Sequence, residues 1–133
     1  MNRVPQRVLI VDDEVSLRDL IALAVASGGR EPVRAASVAD ALAELDRRPV
    51  DLVVTDLNMP GAGGLELLAE LSSRHAAPPT VVVTASTDAS ALRAARLLGA
   101  RAVVTKPFGF LELRRTIEAV AAPVDALGAA AAA

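Results

Sequence analysis

Four short, uninterrupted apolar runs divide this chain, and they constrain its fold more than any other feature. They occupy residues 8–11, 52–55, 81–84 and 102–104, and a weaker candidate lies at residues 32–35. Runs that are continuous rather than alternating are typical of parallel strands covered on both faces. The sequence therefore predicts a parallel sheet of five strands.

Between these runs, apolar residues recur at the spacing of a helix face. Gly28 and Gly29 end the first helical pattern, Ser37 is an N-cap candidate for the second, and Pro123 ends the fifth. Five strands alternating with five helices predict an α/β fold, with helices on both faces of a doubly wound parallel sheet. The five apolar stripes are Leu17, Leu20, Ile21, Ala24 and Val25; Val38, Ala41, Leu42 and Leu45; Leu65, Leu68 and Leu71; Leu92, Ala95 and Leu98; Phe110, Leu113, Ile117 and Val120.

Composition excludes several other classes of protein. The 133 residues suit one domain, which we predict to span residues 1–122, with the Ala-rich residues 123–133 as a tail or truncated linker. The chain has no cysteine, no apolar run of about 18 residues and no signal-peptide pattern, which together favour the cytoplasm and no membrane. With a net charge of −2, the chain as a whole lacks the excess of basic residues that is typical of nucleic-acid-binding proteins, so we expect no direct nucleic-acid binding.

Polar residues follow the predicted strands at the point where each one ends. Asp12 and Asp13 follow the first strand, Asp56 the third and Lys106 the fifth, while Thr84 closes the fourth. Each has an ordinary alternative explanation: a helix N-cap, a turn acid, a solvated loop lysine, a β-branched strand residue. The carboxyl ends of parallel strands meet at one edge of the sheet, however, and their joint occurrence there favours a site.

The chemistry of this set is that of phosphoryl transfer. Clustered carboxylates raise one another's pKa, and a divalent cation relieves that repulsion; oxygen ligands suit Mg²⁺. A carboxylate is a nucleophile toward phosphorus, and an ammonium and a hydroxyl supply phosphate contacts. Lys106 is the only lysine in the chain, and there is no P-loop motif for a nucleotide.

Four motifs make the chain resemble the receiver domains of bacterial two-component response regulators, which include the chemotaxis regulators. They are VDDE at residues 11–14, TDLNMPG at 55–61, VTA at 83–85 and TKPF at 105–108. The resemblance runs from about residue 8 to residue 120. It implies a flavodoxin-like sheet with the strand order 2-1-3-4-5.

The resemblance also assigns a phosphoacceptor and a metal site. Asp56 is expected to accept phosphate from a sensor histidine kinase or a histidine phosphotransfer protein. Asp13, Asp56 and the Asn58 backbone carbonyl are expected to ligate Mg²⁺ directly, and Asp12 mainly through water. Such a domain is not an enzyme, apart from promoting its own phosphorylation and slow autodephosphorylation.

Further roles follow from the same resemblance. Lys106 is expected to pair with the phosphoryl group and to orient Asp56, while Thr84 moves to hydrogen-bond a phosphoryl oxygen, with Ala85 beside it. Asn58 and Ser86 are expected to tune the rate of dephosphorylation.

Three departures from the family pattern qualify these roles. Val103 occupies the switch position that usually carries Tyr or Phe, so the aromatic half of the switch is in doubt. The sequence GAGG at residues 61–64 predicts a looser loop after the phosphoacceptor. The sequence GARA at residues 99–102 argues mildly against one mode of dimerisation, while a homodimer stays open.

Two other classes of protein are alternatives to a receiver domain, and one surface is expected to bind output partners. A haloacid-dehalogenase-like phosphatase shares the residue types, but its acidic pair follows the lysine. A pseudo-receiver that takes no phosphate is disfavoured by the intact set of site residues. Receivers use the fourth helix, fifth strand and fifth helix for output. Five arginines lie on these predicted elements, and the ordinary interpretation is that they form a solvated face, while the alternative is a partner surface. They are Arg93, Arg96, Arg101, Arg114 and Arg115.

Overall fold

Five parallel strands alternate with five helices in the computed structural model, which describes residues 6–74 and 76–121. The strand order is β2-β1-β3-β4-β5, so the predicted 2-1-3-4-5 sheet is confirmed. The predicted tail at residues 123–133 and the stop at Pro123 lie outside the described residues. The elements are β1 (Arg7–Val11), α1 (Val15–Ser27), β2 (Glu31–Ala35), α2 (Val38–Arg47), β3 (Leu52–Thr55), α3 (Gly64–Ser72), β4 (Thr80–Thr84), α4 (Ala89–Leu97), β5 (Ala100–Thr105) and α5 (Phe110–Ala121).

The sheet is covered on both faces, which explains why its central strands are apolar without alternation. In β1, Val8 and Ile10 face a core shared with α1 and α5, whereas Leu9 and Val11 face one shared with α2 and α3. Val82 of β4 joins a third cluster, under α3 and α4. Successive side chains of a strand point to opposite faces, so each of these strands must be apolar at every position.

The apolar stripes of the helices are confirmed at most positions and wrong at two. Leu20 and Phe110, both placed on buried stripes, are 38% and 37% exposed. Leu20 lies on the flank of the α1 stripe, whose centre is formed by Ile21 and Val25. Phe110 is the first residue of α5, one turn before Leu113, which is fully buried. Among the described residues, no helix is both long and apolar enough to cross a membrane.

Two helix ends behave as their residues predict. The Ser37 hydroxyl accepts a hydrogen bond of 3.1 Å from the backbone N–H of Asp40, so Ser37 is the N-cap of α2. α1 ends at Ser27; the following Gly28 N–H donates to Val25, and Gly29 adopts a φ of +81°. That left-handed conformation favours glycine and turns the chain toward β2.

The loop between β3 and α3 is tightly packed at its second half, so the expectation of a looser loop is wrong there. The Gly64 N–H donates to the Leu57 carbonyl at 2.9 Å. A Cβ at Gly64 would overlap the carbonyl oxygen of Asp56 and lie 2.8 Å from the Leu57 Cα. Gly64 is therefore glycine because the start of α3 lies directly against the backbone that carries Asp56.

This contact predicts the effect of the smallest possible substitution. Gly64→Ala should lower the free energy of unfolding by about 2 kcal/mol, because overpacking against backbone forces the helix start to shift. The matched control is Gly109→Ala, just before α5, where a Cβ would meet nothing within 4 Å. It should leave stability unchanged or raise it by up to about 1 kcal/mol, because alanine restricts the unfolded chain and meets no clash there. Urea unfolding of both variants measures the difference, and equal midpoints would contradict the packing argument.

Candidate functional site

Three of the predicted site residues are held by backbone hydrogen bonds that continue the sheet one residue beyond its strands. Asp12 and Asp56 follow paired residues of β1 and β3, and Lys106 follows the end of β5. Each of the three backbone N–H groups donates to a carbonyl of a neighbouring strand, so the backbone positions of these residues are fixed at one edge of the sheet. The bonds run from Asp12 N to Ala35 O (3.1 Å), from Asp56 N to Val11 O (3.2 Å) and from Lys106 N to Thr84 O (2.9 Å).

The Lys106 ammonium lies between the two buried carboxylates. Its Nζ donates to Asp56 Oδ2 at 2.7 Å and is 3.6 Å from Asp12 Oδ2. Asp56 Oδ1 accepts a hydrogen bond of 3.1 Å from the backbone N–H of Asn58, so both of its oxygens have partners. Asp12 is 1% exposed and Asp56 7% exposed. Charge-assisted hydrogen bonds of this kind are strong where water is excluded.

The electrostatics of this triad follow from its burial. Burial raises the pKa of Asp12; the hydrogen bond from the Glu14 N–H and the charge of Lys106 oppose that rise, and the carboxylates of Asp56 and Asp13 add to it. Burial alone would lower the pKa of Lys106, but its hydrogen bond to Asp56 and the two neighbouring negative charges raise it. The ammonium is therefore firmly protonated, and its charge is what permits the carboxylates to lie together.

One oxygen of this site lacks a hydrogen-bond partner. Asp12 Oδ1 accepts from the Glu14 N–H at 2.9 Å, whereas the buried Asp12 Oδ2 accepts no hydrogen bond. Within residues 6–74 and 76–121, no three His, Cys, Asp or Glu side chains form a ready-made metal cluster. A buried carboxylate oxygen that accepts no hydrogen bond, beside a second carboxylate, nevertheless fits a hard cation that takes oxygen ligands and keeps several waters.

Asp13 and Thr84 lie at the margins of the triad. The Asp13 carboxylate is exposed, although its charge contributes to the raised pKa of Asp12. Thr84 is fully buried and joins the site through its backbone carbonyl, which accepts from the N–H of Lys106. The structure therefore brings Asp12, Asp56 and Lys106 into contact and places the other two beside them.

A series of side-chain-to-backbone turns leads from Thr84 to the start of α4. The Thr84 hydroxyl accepts from the Ser86 N–H at 3.1 Å, and the Ser86 hydroxyl oxygen accepts from the Asp88 N–H at 3.2 Å. The Asp88 carboxylate, the N-cap of α4, accepts from the Ser90 N–H at 3.0 Å and the Ser90 hydroxyl at 2.9 Å. We call these three turns the 84–90 turn series. Both hydrogen bonds from Ser90 hold the pKa of Asp88 below its usual range.

Val103, at the switch position, packs as an ordinary core residue. It is partly buried against the apolar layer under α3 and α4, beside Val82 and Ala95. Ala85, also predicted near the phosphoryl group, is exposed. The Lys106–Pro107 peptide bond is cis.

Two residues that contact the site were missed by sequence reasoning. Arg18 of α1 donates from Nη1 to the Asp12 backbone carbonyl at 2.8 Å, and Gly64 lies against the backbone of Asp56. The position of Arg18 could have predicted its contact with the site, because it lies in the first turn of the helix that follows the acidic pair, next to the edge of the sheet. Gly64 stood in a glycine-rich run, where flexibility was the more obvious interpretation.

Comparison with known proteins gives one family. The model of the response regulator receiver domain matches residues 8–118. The transcriptional regulatory protein GlrR of Escherichia coli K12 is 36% identical over 107 residues, covering 80% of this chain and 24% of that protein. The sensory transduction protein RegX3 of Mycobacterium tuberculosis H37Rv is 38% identical over 114 residues, covering 85% and 49%. The chain thus spans about a quarter to a half of these curated relatives.

Solved structures agree in fold and in length. The chemotaxis protein CheY4 of Vibrio cholerae matches with a TM-score of 0.80 and 28% identity, covering 88% of this chain and 99% of that chain. The receiver domain of NtrX from Brucella abortus matches with a TM-score of 0.80 and 32% identity, covering 86% and 97%. Both likenesses extend over almost the whole length of the compared structures.

Proposed function

This chain belongs to the response regulator receiver domain family, and from that premise we propose that Asp56 is its phosphoacceptor and Lys106 its phosphoryl-binding cation. The observation that carries the proposal is the 2.7 Å hydrogen bond from Lys106 Nζ to Asp56 Oδ2 at the edge where three strands end. A buried carboxylate held by one ammonium and one backbone N–H is oriented for attack on phosphorus. The intact acidic pair, acceptor and lysine argue against a pseudo-receiver.

In the proposed reaction an Asp56 oxygen forms a P–O bond while the P–N bond of a phosphohistidine breaks. The leaving imidazole retains the electron pair, and Lys106 moves from the carboxylate to an oxygen of the transferred group. Thr84 then supplies a second contact to the phosphoryl group. Hydrolysis of the aspartyl phosphate reverses the signal, with the exposed Asn58 and the partly buried Ser86 as the residues that tune its rate.

The acidic end of the sheet fits Mg²⁺ through Asp12, Asp13, Asp56 and the Asn58 backbone carbonyl. The Asp12 Oδ2 atom supports this assignment, because a buried carboxylate oxygen that accepts no hydrogen bond and has only the Lys106 ammonium at 3.6 Å is costly. Bound Mg²⁺ supplies charge neutralisation for the carboxylates and for the incoming phosphoryl oxygens. Asp12 and Asp13 would hold the cation, and Asp12 is fixed by the Glu14 N–H.

The partners follow from the same proposal. A sensor histidine kinase or histidine phosphotransfer protein donates the phosphoryl group, and the face formed by α4, β5 and α5 carries the output. The domain acts on no metabolic substrate, and the only reactions assigned to it are its own phosphorylation and dephosphorylation. We place it in the cytoplasm, where such donors present their phosphohistidines.

The first prediction tests the choice of acceptor. Asp56→Asn should abolish the gain of one phosphoryl group from a small phosphodonor with Mg²⁺, because an amide is a poor nucleophile. Mass spectrometry of the intact protein and of its peptides reads the result. Asp46→Asn, which alters only an exposed ion pair with Arg74, should be phosphorylated like the wild type. Normal phosphorylation of Asp56→Asn would show that the acceptor lies elsewhere.

The second prediction couples metal to stability. Mg²⁺ should raise the urea midpoint of the wild-type protein, because a cation that binds only the folded state adds linkage stability of about 2.7 kcal/mol at a hundredfold excess over Kd. Asp13→Asn should show a much smaller rise, because it removes an exposed charged ligand without disturbing the buried triad. Equal rises in both proteins would contradict the assigned metal site. Ca²⁺-free buffers and a KCl control at matched ionic strength exclude general salt effects.

The third prediction concerns the switch, for which the 84–90 turn series is the structural support. A Thr84 hydroxyl that moves to the phosphoryl group must leave the Ser86 N–H, which frees the next turn in the series. Contacts of Thr84 with beryllofluoride, a phosphoryl mimic, should order this loop in a new arrangement. Protection from amide exchange should therefore rise over residues 84–91, except at the Ser86 N–H, which loses its acceptor, and should change little around Val103. Ser86→Ala should reduce that response by at least half while phosphorylation persists.

Ser73→Ala is the matched control for this variant. The Ser73 hydroxyl donates to the carbonyl of Glu70 at the end of α3. The substitution therefore also removes one short-range serine hydrogen bond, but outside the 84–90 turn series. Its exchange response to beryllofluoride should equal that of the wild type. A response confined to α1 and α2, or one that Ser86→Ala leaves intact, would show that the signal takes another route.

A further inference from the structure

Charge is divided unevenly between two parts of the molecule. Residues 89–121, which hold α4, β5 and α5, contain six basic and two acidic side chains, a net charge of +4. Residues 6–88 contain seven basic and thirteen acidic side chains, a net charge of −6. A single-sign field over one part of a surface acts on the choice and approach of partners rather than on the fold.

The arginines of the basic part are also unpaired within the described residues. Elsewhere in the described residues, five of the seven arginines form an ion pair with a carboxylate, as Arg34 does with Asp19 at 3.3 Å and Arg74 with Asp46 at 3.4 Å. No ion pair is formed within residues 6–74 and 76–121 by the five arginines of α4, β5 and α5, which are Arg93, Arg96, Arg101, Arg114 and Arg115. Their guanidinium groups are available to carboxylates supplied from outside.

An apolar side chain stands among these charges on the outer face of α4. Leu97 is 81% exposed, the largest fractional exposure among the exposed large hydrophobic residues described. Two shallow hollows flank it, of about 340 and 500 Å³, and both are lined by Ala89, Arg93 and Leu97. Ser90 borders the smaller hollow and Arg96 the larger. We call these five residues the α4 face.

We propose that the α4 face binds an acidic amphipathic segment of a partner protein, which covers Leu97 with an apolar side chain and pairs its carboxylates with Arg93 and Arg96. Small residues at 89 and 90 leave room for the backbone of such a segment, and bidentate arginine–carboxylate pairs fix its register. The inference rests on the proposed function, in which α4 belongs to the output face, and adds the chemistry of the partner.

The same charges disfavour a symmetric dimer through this face. In an isologous contact, each residue of the face meets the corresponding face of the second copy. Arg93 and Arg96 would then lie close to their own copies, with no acidic residue of α4 to separate them. Like charges that face each other across an interface weaken it. The α4 face therefore selects a different, acidic protein.

The turn series gives this face a connection to the phosphorylation site. Ser90 both closes the 84–90 turn series and borders the smaller hollow. A rearrangement that starts at Thr84 therefore ends at a residue that a bound segment touches. Affinity for an acidic segment should change on phosphorylation, by the difference in contacts between the two states.

Binding of designed peptides to the 133-residue protein tests the proposal. The probe is a fluorescent amphipathic helical peptide with Glu on one face and Leu on the other; a second peptide carries Lys in place of Glu, and a DNA duplex serves as a general polyanion. Anisotropy should show binding of the Glu peptide alone. Its affinity should fall at least about tenfold when ionic strength rises from about 0.05 to 0.5 M, and change severalfold with beryllofluoride.

Matched variants separate location from overall charge. Arg93→Glu/Arg96→Glu should weaken binding at least about tenfold, whereas Arg47→Glu/Arg48→Glu, the same charge change on α2, should weaken it less than about threefold. Leu97→Ser should weaken it about fivefold or more, and Leu23→Ser, at a leucine 59% exposed on α1, should leave it unchanged. All four variants alter exposed residues, so circular dichroism and phosphorylation should match the wild type.

Each outcome bears on one of the two proposals. Equal binding of the Lys peptide or of the DNA duplex, equal losses from the α2 and α4 charge variants, or concentration-dependent dimerisation that Leu97→Ser abolishes would overturn the acidic-partner proposal. Loss of phosphorylation in the wild type would overturn the proposed function, and peptide binding by the unmodified protein would still decide the chemistry of the α4 face.

Discussion

The hydrogen-bonded ion pair between Lys106 and Asp56, with Asp12 beside it, is the constraint on which the rest of this structure depends. Two carboxylates buried at neighbouring strand ends repel each other, and burial itself disfavours their charged forms. One ammonium, 2.7 Å from the first and 3.6 Å from the second, makes the arrangement tolerable. The backbone of β5 must therefore end where its lysine reaches β1 and β3, which fixes the register of the outer strand.

The same lysine connects the charged site to Thr84, the residue proposed to start the switch. Its side chain holds Asp56, and its backbone N–H donates to the carbonyl of Thr84. Movement of Lys106 toward a phosphoryl group in the proposed function therefore acts on the end of β4 through a hydrogen bond that already exists. Lys106 and Thr84 belong to adjacent paired strands, so they respond as one unit rather than as two independent contacts.

The sequence predicted the sheet, and the meeting of Asp12, Asp56 and Lys106 at its edge, because both depend on local patterns. Continuous apolar runs are required wherever a strand is covered on both faces, and polar groups at strand ends converge in any parallel sheet. Gly64 and Arg18 were missed because their roles depend on tertiary neighbours, namely the carbonyl groups of Asp56 and Asp12. Leu20 was misplaced because helical spacing defines a stripe but not how far the neighbouring elements cover its edge. The 84–90 turn series could not be predicted, because the Thr, Ser, Asp and Ser at every second position of residues 84–90 fit an ordinary polar loop equally well.

Distance and screening explain why a chain of contacts is needed to reach α4. Phosphorylation adds about −1.5 to −2 charges, but at physiological ionic strength the field of an exposed charge is screened over about 8 Å. The α4 face follows the β4–α4 loop in the chain, and the hydrogen bonds of that loop give rearranged contacts a route to it. With Val103 in place of an aromatic ring, the sheet side offers no large group to move. The 84–90 turn series instead uses directional hydrogen bonds at every second residue, each of which holds the backbone N–H of the next. Loss of the first bond removes a restraint on the second, and the last one is the N-cap of α4, so the polar loop can replace the missing aromatic residue as the coupling between the phosphorylation site and the output face.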